Sequence, residues 1–313
     1  MMKTLAVINP RSAGGKTGRD TDMIARRLSD VTGNLTVALT NGPMDAARLT
    51  SHALRDGFGR VVAVGGDGTI NEVVNGFFSN GIAINPEAEF ALLNTGTGGD
   101  FRKTFDIAAG FDASLRRIAE GQVRRIDVGQ LSYLSGDGKT ERRHFANIAS
   151  FGMSGDVMHR VNRATRIKRW TGRFAFTWGS LVSMMKYKAK PVRLKVDDVF
   201  DDVISISTCA VCNGQFFGGG MRVAPDASPD DGMLDVIVIG DASRRDIMRS
   251  MNDIYTGAHV NNPNVRVFRG RSVIATPVEA TAGEPVFLEV DGETPGILPA
   301  VFEVMPKALK LRA

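Results

Sequence analysis

Three acidic, glycine-rich stretches hold the residue types that can do chemistry. The first, "VVAVGGDGTINEVVNG" (61–76), ends an apolar run with Gly65, Gly66, Asp67 and Gly68. Glycines there allow positive φ and close approach of a ligand. The N–H groups of the loop and of a following helix can then face phosphate oxygens. Asp67 would repel a bare phosphate. It suits a Mg2+ lying between the two, a ribose hydroxyl, or a helix N-cap. Thr69 and Asn71 add a hydroxyl and an amide. Neither common nucleotide fingerprint fits: G-x-G-x-x-G needs glycine where Asn71 stands, and the P-loop-like "PRSAGGKT" has Pro10 in the place of its first glycine.

The second stretch, "LEVDGETPG", sets Asp291 and Glu293 after an apolar strand. Phosphoryl transfer to a hydroxyl needs a carboxylate that orients the nucleophile and takes its proton. Two acids separated by one glycine can point in different directions, one toward substrate. An ordinary Asp-Gly turn is the competing reading. In the third stretch, "DASPDDGMLDV", Asp231 beside backbone carbonyls can hold a hard cation, or simply close a hairpin.

These loops need elements to position them. "TLAVI" (4–8), "LTVAL" (35–39), "RVVAV" (60–64) and "FALLN" (90–94) read as buried strands, with helices at about 19–29, 43–56 and 69–78 between them. That alternation implies βαβ units and a parallel sheet whose strand C-termini share one edge. "NPRSAGGKTG", "GGDGT" and "NTGTGGDF" each follow one of those strands, so they would meet there in a cleft. From about residue 129 the pattern changes to short alternating runs such as "PVRLKV", "ISISTCAV" and "VFLEVDG", a mainly antiparallel β domain. One helical stretch at about 155–187 interrupts it. The closing "PAVFEVMPKALKLRA" is open to packing back on the first domain.

Composition sets the bounds. The chain has 313 residues, 43% of them hydrophobic, and a formal charge of +5. That is enough for two cores, and it favours anionic partners. The N-terminus reads as a first strand, not a signal peptide, and no run approaches the roughly 20 apolar residues that span a bilayer. Cys209 and Cys212, the only cysteines, would point to opposite faces of a strand as packing residues. They suit a reducing cytoplasm.

"GGDGTINEVVNG" resembles the signature of the diacylglycerol kinase catalytic domain, shared with sphingosine, ceramide and bacterial lipid kinases. "INPRSAGG" resembles that family's first nucleotide loop, "NTGTGGDFRKTF" its G-T-x-N-D-F loop, "CNGQFFGGGMRVAPDASPDDGMLDV" its second-domain signature, and "EVDGE" its late catalytic acid. The resemblance runs over residues 5–293. It implies a doubly wound α/β nucleotide-binding domain (1–128), a C-terminal β-sandwich-like lipid domain (129–295), and a segment 296–313 returning to the first. It also implies an ATP-dependent kinase that phosphorylates a lipid hydroxyl and uses Mg2+.

Carried over by position, the resemblance assigns nucleotide contacts to Asn9, Pro10, Arg11, Ser12, Ala13, Thr40, Gly65, Gly66, Asp67, Gly68, Thr69, Ile70, Asn71 and Thr97. It places Asp100 with Asp67 at Mg2+, and makes Asp291 and Glu293 catalytic without separating their roles. It gives a structural cation Asp231 and the carbonyls of Ser228 and Met233. One departure stands out: Gly99 replaces the family's usual asparagine.

The stretch 158–190 concentrates Arg and Lys around Trp170, Phe174, Phe176, Trp178 and Tyr187. It reads as a membrane-docking face, or as a solvated basic helix with core aromatics. The expected partners are therefore ATP, a lipid substrate and a membrane surface reached from the cytoplasm. A homodimer is allowed. Nucleic acid is not expected, since no recognition motif supports it. Two rivals remain: an NAD kinase-like enzyme, which also uses a G-G-D-G loop, and a non-catalytic nucleotide- or lipid-binding module.

Overall fold

The computed structural model describes residues 2–96, 99–167, 187–241, 252–278 and 284–313. The N-terminal half alternates β1 (Thr4–Ile8), α1 (Thr21–Thr32), β2 (Leu35–Leu39), α2 (Asp45–Arg55), β3 (Arg60–Gly65), α3 (Asp67–Gly76) and β4 (Glu89–Asn94). The short α4 (Asp100–Thr104) and α5 (Phe111–Glu120) follow. The strands pair in parallel in the order β2-β1-β3-β4. β1, β3 and β4 are apolar at most positions because both sheet faces are covered there, whereas β2, read from the sequence as buried, is an edge strand that leaves Val37 and Leu39 exposed. Leu5, Val7, Val61, Ala63, Phe90 and Leu92 pack with Ala46, Leu54, Ile70, Val73 and Val74 of α2 and α3. Ala6, Ile8, Val62, Val64, Ala91 and Leu93 pack with Ile24 and Leu28 of α1 and with Leu115 and Ile118 of α5. Each such Val, Leu, Ile or Phe contributes roughly 1.5–3 kcal/mol on burial. Short helices that would be marginal alone are held in this way.

The second half contains β5 (Val123–Ser135), β6 (Thr140–Phe145), β7 (Ile148–Gly152), α6 (Met153–Ile167), β8 (Lys190–Val196), β9 (Phe200–Ile206), β10 (Thr208–Cys212), β11 (Leu234–Ile239), β12 (Val265–Gly270), β13 (Ser272–Pro277), β14 (Leu288–Val290) and β15 (Gly296–Arg312). Five of these strands form an antiparallel sheet in the order β12-β11-β10-β7-β14. Its inner face, with Phe151, Cys209, Val211, Leu234 and Val290, meets Val192, Leu194, Val273, Ala300 and Phe302 of the other sheet. That is the face-to-face packing of a sandwich. Cys209 lies in this core, whereas Cys212 lies in the cluster on the opposite face, beside Val223 and Ala227.

β15 joins the two halves. It runs antiparallel to β5 and β13 and then parallel to β4, at Lys310 opposite Glu89 and Leu311 opposite Phe90. Arg312 locks that end with bonds of 2.8 and 2.9 Å to Glu89, which also receives Arg60 at 2.8 Å. The parallel sheet is therefore continuous, through β15, with the β-rich half.

Candidate functional site

Register brings the loops together. Ile8 stands opposite Leu39 and Val64, and Gly65 opposite Asn94. Asn9, Thr40, Asp67 and the 94–100 loop thus leave the sheet along one edge. Thr40 donates its N–H to the Ile8 carbonyl at 3.0 Å, beside Asn9. Asn9 Nδ2 donates to Thr69 Oγ1 at 3.1 Å, and Asn9 Oδ1 accepts the Arg11 N–H at 3.0 Å. Pro10 accepts the N–H of Gly18, Arg11 is exposed, and Ala13 has φ of 51° in a tight turn. The hydroxyls of Ser12, Thr17 and Thr95 close a triangle with sides of 2.6, 2.8 and 2.9 Å, tying the first loop to the third. Thr97 lies outside the described residues.

The glycines of the central loop do a different job from the one their type suggests. Gly65, Gly66 and Gly68 are absent from the positive-φ conformations of this chain. A Cβ on Gly65 would instead sit 2.3 Å from Thr69 Oγ1, and a Cβ on Gly96 would sit 2.6 Å from the Gly66 Cα. These glycines let two loops cross. At Gly68 a Cβ would meet nothing within 4 Å, so this face of the loop is open to a ligand.

Three side chains of the loop turn inward. Ile70 packs in the core and spends its N–H on the Gly66 carbonyl. Thr69 receives Asn9. Asn71, 3% exposed, donates Nδ2 to the His144 carbonyl at 3.1 Å and to Asp291 Oδ2 at 2.7 Å. In the structure both side chains hold the loop in place, Thr69 as an acceptor that keeps its own hydroxyl proton.

Asp67 accepts the N–H of Gly99 at 2.8 Å, with weaker approaches from Asp100 and Phe101 at 3.4 Å. It sits at the start of α4, partly open. Asp100 faces elsewhere. Its oxygens take Lys103 Nζ at 3.3 Å and the Gly219 N–H at 2.7 Å. It thereby fastens α4 to Gly218–Gly220, whose φ values of 64°, 90° and 112° suit glycine alone. Thr104, Asn147 and Gln215 extend the same joint at 2.9 and 3.1 Å. Gly99 adopts φ of 83°, and a Cβ there would lie 2.7 Å from Asn94 Nδ2. An amide thus occupies the space where a side chain at 99 would begin.

The acidic turn after β14 reaches this edge from the second half. Asp291 accepts the Ile148 N–H at 3.0 Å as well as the Asn71 amide. Burial pushes its carboxyl up to about 6, and nearby Asp67 adds to the rise. Glu293 is exposed on the outward side of the turn. Below it Glu289, 3% exposed, is pushed up to about 7 by burial, with Asp291 and Glu293 contributing. Thr17 and Thr95 stand inside the glycine-rich loops with no role assigned from the sequence, and Glu289 stands outside them in a strand. An acid in an otherwise apolar strand was the one signal available.

The third acidic turn lies away from this edge. Asp231 pairs with Arg269 and accepts the Met233 N–H at 2.9 Å, while the Ser228 hydroxyl donates to Asp230 at 2.9 Å. Buried Asp127 takes the N–H groups of Gly232 and Lys307, both at 2.6 Å. Arg269 already supplies positive charge at Asp231, where the sequence expects a cation. Of the basic-aromatic stretch, Trp170, Phe174, Phe176 and Trp178 lie outside the described residues. Among the described residues no helix is long and apolar enough to cross a membrane.

Known proteins share this arrangement. The profile of the diacylglycerol kinase catalytic domain matches residues 3–131, and that of the YegS C-terminal NAD kinase beta sandwich-like domain matches residues 147–313. A Mycobacterium tuberculosis protein named diacylglycerol kinase is 25% identical over 311 residues, covering 99% of this chain and 94% of its own. A Bacillus subtilis diacylglycerol kinase is 26% identical over 264 residues, 82% of this chain and 78% of its own. The crystal structure of a diacylglycerol kinase from Bacillus anthracis superposes with a TM-score of 0.70 at 18% identity, over 99% of this chain and 96% of that one. A yeast NADH kinase complexed with NADH shares the fold more distantly, with a TM-score of 0.56 at 10% identity over 99% of this chain and 82% of that one. The loops that converge on this sheet edge and the sandwich that brings the acidic turn to them are those of the diacylglycerol kinase catalytic-domain family, to which this chain belongs as a lipid kinase.

Proposed function

We propose that this kinase moves the γ-phosphate of ATP to the hydroxyl of a diacylglycerol-class lipid, at the junction of the 65–71 loop and the 291–293 turn. The observation that carries the reading is the 2.7 Å bond from Asn71 to Asp291, which joins residues 220 positions apart into one site. The halves divide the work: residues 1–128 take the nucleotide, 129–295 take the lipid, and 296–313 close the sheet between them.

On this reading the open loop edge at Gly68, with Asn9 to Ala13, Thr40, Gly65, Gly66 and Thr97, receives the nucleotide phosphates. Asp67 fits a hydrated Mg2+. Its N–H contacts are partly long, which leaves carboxylate lone pairs free, and a cation there offsets its repulsion of Asp291. Among the described residues no three His, Cys, Asp or Glu form a cage, and Mg2+ ordinarily takes one or two carboxylates plus substrate phosphates. When bound, the ion neutralises charge on the phosphoryl oxygens. Asp100 acts as a joint that sets α4 against the second half.

Of the two acids in the turn, Asp291 bonds Asn71 and Ile148 inside the site, whereas Glu293 is exposed at the surface that an acceptor lipid would reach. Glu293 therefore takes the acceptor proton while Asp291 fixes the turn against the phosphate loop. The basic-aromatic stretch 158–190 docks on an anionic membrane surface from the cytoplasm, where the lipid resides. That part is checked by vesicle flotation: binding should rise with anionic lipid and fall with salt.

Transfer of labelled phosphate from ATP with Mg2+ to a lipid panel in mixed micelles tests the main reading. Labelled diacylglycerol, lost in Glu293→Gln, is the expected result. Transfer to NAD and to no lipid would refute it.

A further inference from the structure

Glu289 has no part in the scheme above, yet it sits directly beneath it. β14 pairs Leu288 with Phe151, Glu289 with Ser150 and Val290 with Ala149. Leu288 and Val290 enter the sandwich core, so Glu289 points to the other face, toward α6. Its Oε1 accepts the Gly292 N–H at 2.6 Å, and its Oε2 accepts the Ser150 hydroxyl at 2.5 Å. Ser150 Oγ lies 2.8 Å from Ser154 Oγ in the first turn of α6. A relay therefore runs Ser154 to Ser150 to Glu289 to the backbone of Gly292.

Gly292 is the residue between the two acids and holds φ of 93°. Its peptide orientation decides where Glu293 points. Sealing a carboxyl beside two further acids is costly, and an apolar side chain would fill the same space without that cost. Burial and those neighbours push Glu289 up to about 7. The groups facing it are the carboxyls of Asp291 and Glu293, the Cys212 thiol on β10, and the Ser150 and Ser154 hydroxyls. No guanidinium or ammonium stands among its hydrogen-bond donors.

We infer that Glu289 is a positioning residue for phosphoryl transfer: it clamps the Gly292 peptide so that Glu293 meets the acceptor hydroxyl, and it ties that turn to α6. The inference rests on the role proposed for Glu293. It also makes α6, the helix that opens the basic-aromatic stretch, mechanically continuous with the catalytic turn.

The test compares Glu289→Ala, Glu289→Gln and Ser150→Ala with wild type. Glutamine keeps an acceptor for Gly292 and gains a donor that Ser150 can accept, so it should stay within about 3-fold of wild-type kcat. Alanine should lower kcat roughly 10- to 100-fold, the scale of a small misplacement, with KM for ATP unchanged. Hydrogen exchange of amides 290–294 should quicken about 10-fold or more in Glu289→Ala and not in Glu289→Gln. Ser150→Ala, which removes one bond of the relay, should move both readouts the same way by less. It serves where the alanine variant at 289 folds poorly. Wild-type exchange in Glu289→Ala, or full kcat per folded enzyme, would overturn the clamp even in an active kinase. A wild type that phosphorylates no lipid would instead overturn the reading of the site, and the role of Glu289 with it.

Discussion

Two Asp-Gly turns of this molecule look alike in sequence and differ in electrostatic setting. At Asp231-Gly232 the acid is paired with Arg269, and the turn backbone is held by Asp127. At Asp291-Gly292 the neighbours are Asn71, Ser150 and backbone N–H groups, and two carboxyls are pushed up by burial, with Asp67 adding to the rise of Asp291 and Asp291 and Glu293 to that of Glu289. In the first, Asp127 and Asp235 are likewise pushed up by burial and by neighbouring acids, but the Arg269 guanidinium answers Asp231 and Asp235. The second keeps buried acids together without a cation among their hydrogen-bond donors, at a cost in stability, and such clusters mark sites that act on something else. The dipeptide says "turn" in both places. What surrounds it separates a brace from the turn proposed to act in transfer.

That contrast can be broken by experiment. Asn71→Ala should have the largest effect, because it cuts the bond between the phosphate loop and the acidic turn. Transfer should fall about 100-fold. Unfolding in urea should show a loss of about 1–3 kcal/mol, the cost of leaving a buried acceptor unpaired. Retained activity would mean that the two loops find their positions independently.

The pH dependence of stability comes next. Asp291 rises from 3.8 to about 6 in the folded protein, and Glu289 from 4.5 to about 7. Both bind protons more tightly folded than unfolded. Their contribution is complete below the unfolded values and is lost as pH climbs through about 4 to 7, at up to about 1.4 kcal/mol per pH unit for each group. Thermal melts of Asp291→Asn should show a flatter decline across that window than wild type. An unchanged slope would mean that these acids are solvated.

The brace should respond least. Arg269 and Asp231 are 47% and 31% exposed at the side chain, and Arg269 keeps a second partner in Asp235, so Asp231→Asn should cost about 1 kcal/mol or less and leave transfer intact. Chelation with EDTA should not move the wild-type melting temperature, since Arg269 already answers Asp231. A marked drop would restore a cation to this turn.

Much of this architecture was legible in the chain. The apolar runs 4–8, 35–39, 60–64 and 90–94 became β1 to β4 nearly residue for residue; β1, β3 and β4 are buried on both faces, as such runs imply, whereas β2 is a half-exposed edge strand whose run overstated its burial. The loops that converge were also readable, since each follows a strand. Partner choice was not. Asn71 looked like a phosphate ligand and instead bonds Asp291 across 220 residues. Asp100 looked like a companion of Asp67 and instead holds Gly219 across 119 residues. Glu289 looked like one more residue of a strand. Long-range pairing and burial decide these roles, and neither leaves a local pattern.

The most direct measurement is phosphate transfer from ATP to diacylglycerol by Glu293→Gln beside Asp231→Asn, each normalised to folded protein. The account predicts a fall of about 10²- to 10⁴-fold for the first, as for loss of a general base, with ATP affinity unchanged. It predicts wild-type transfer for the second. Equal activity of the two variants, or a greater loss in Asp231→Asn, would contradict it.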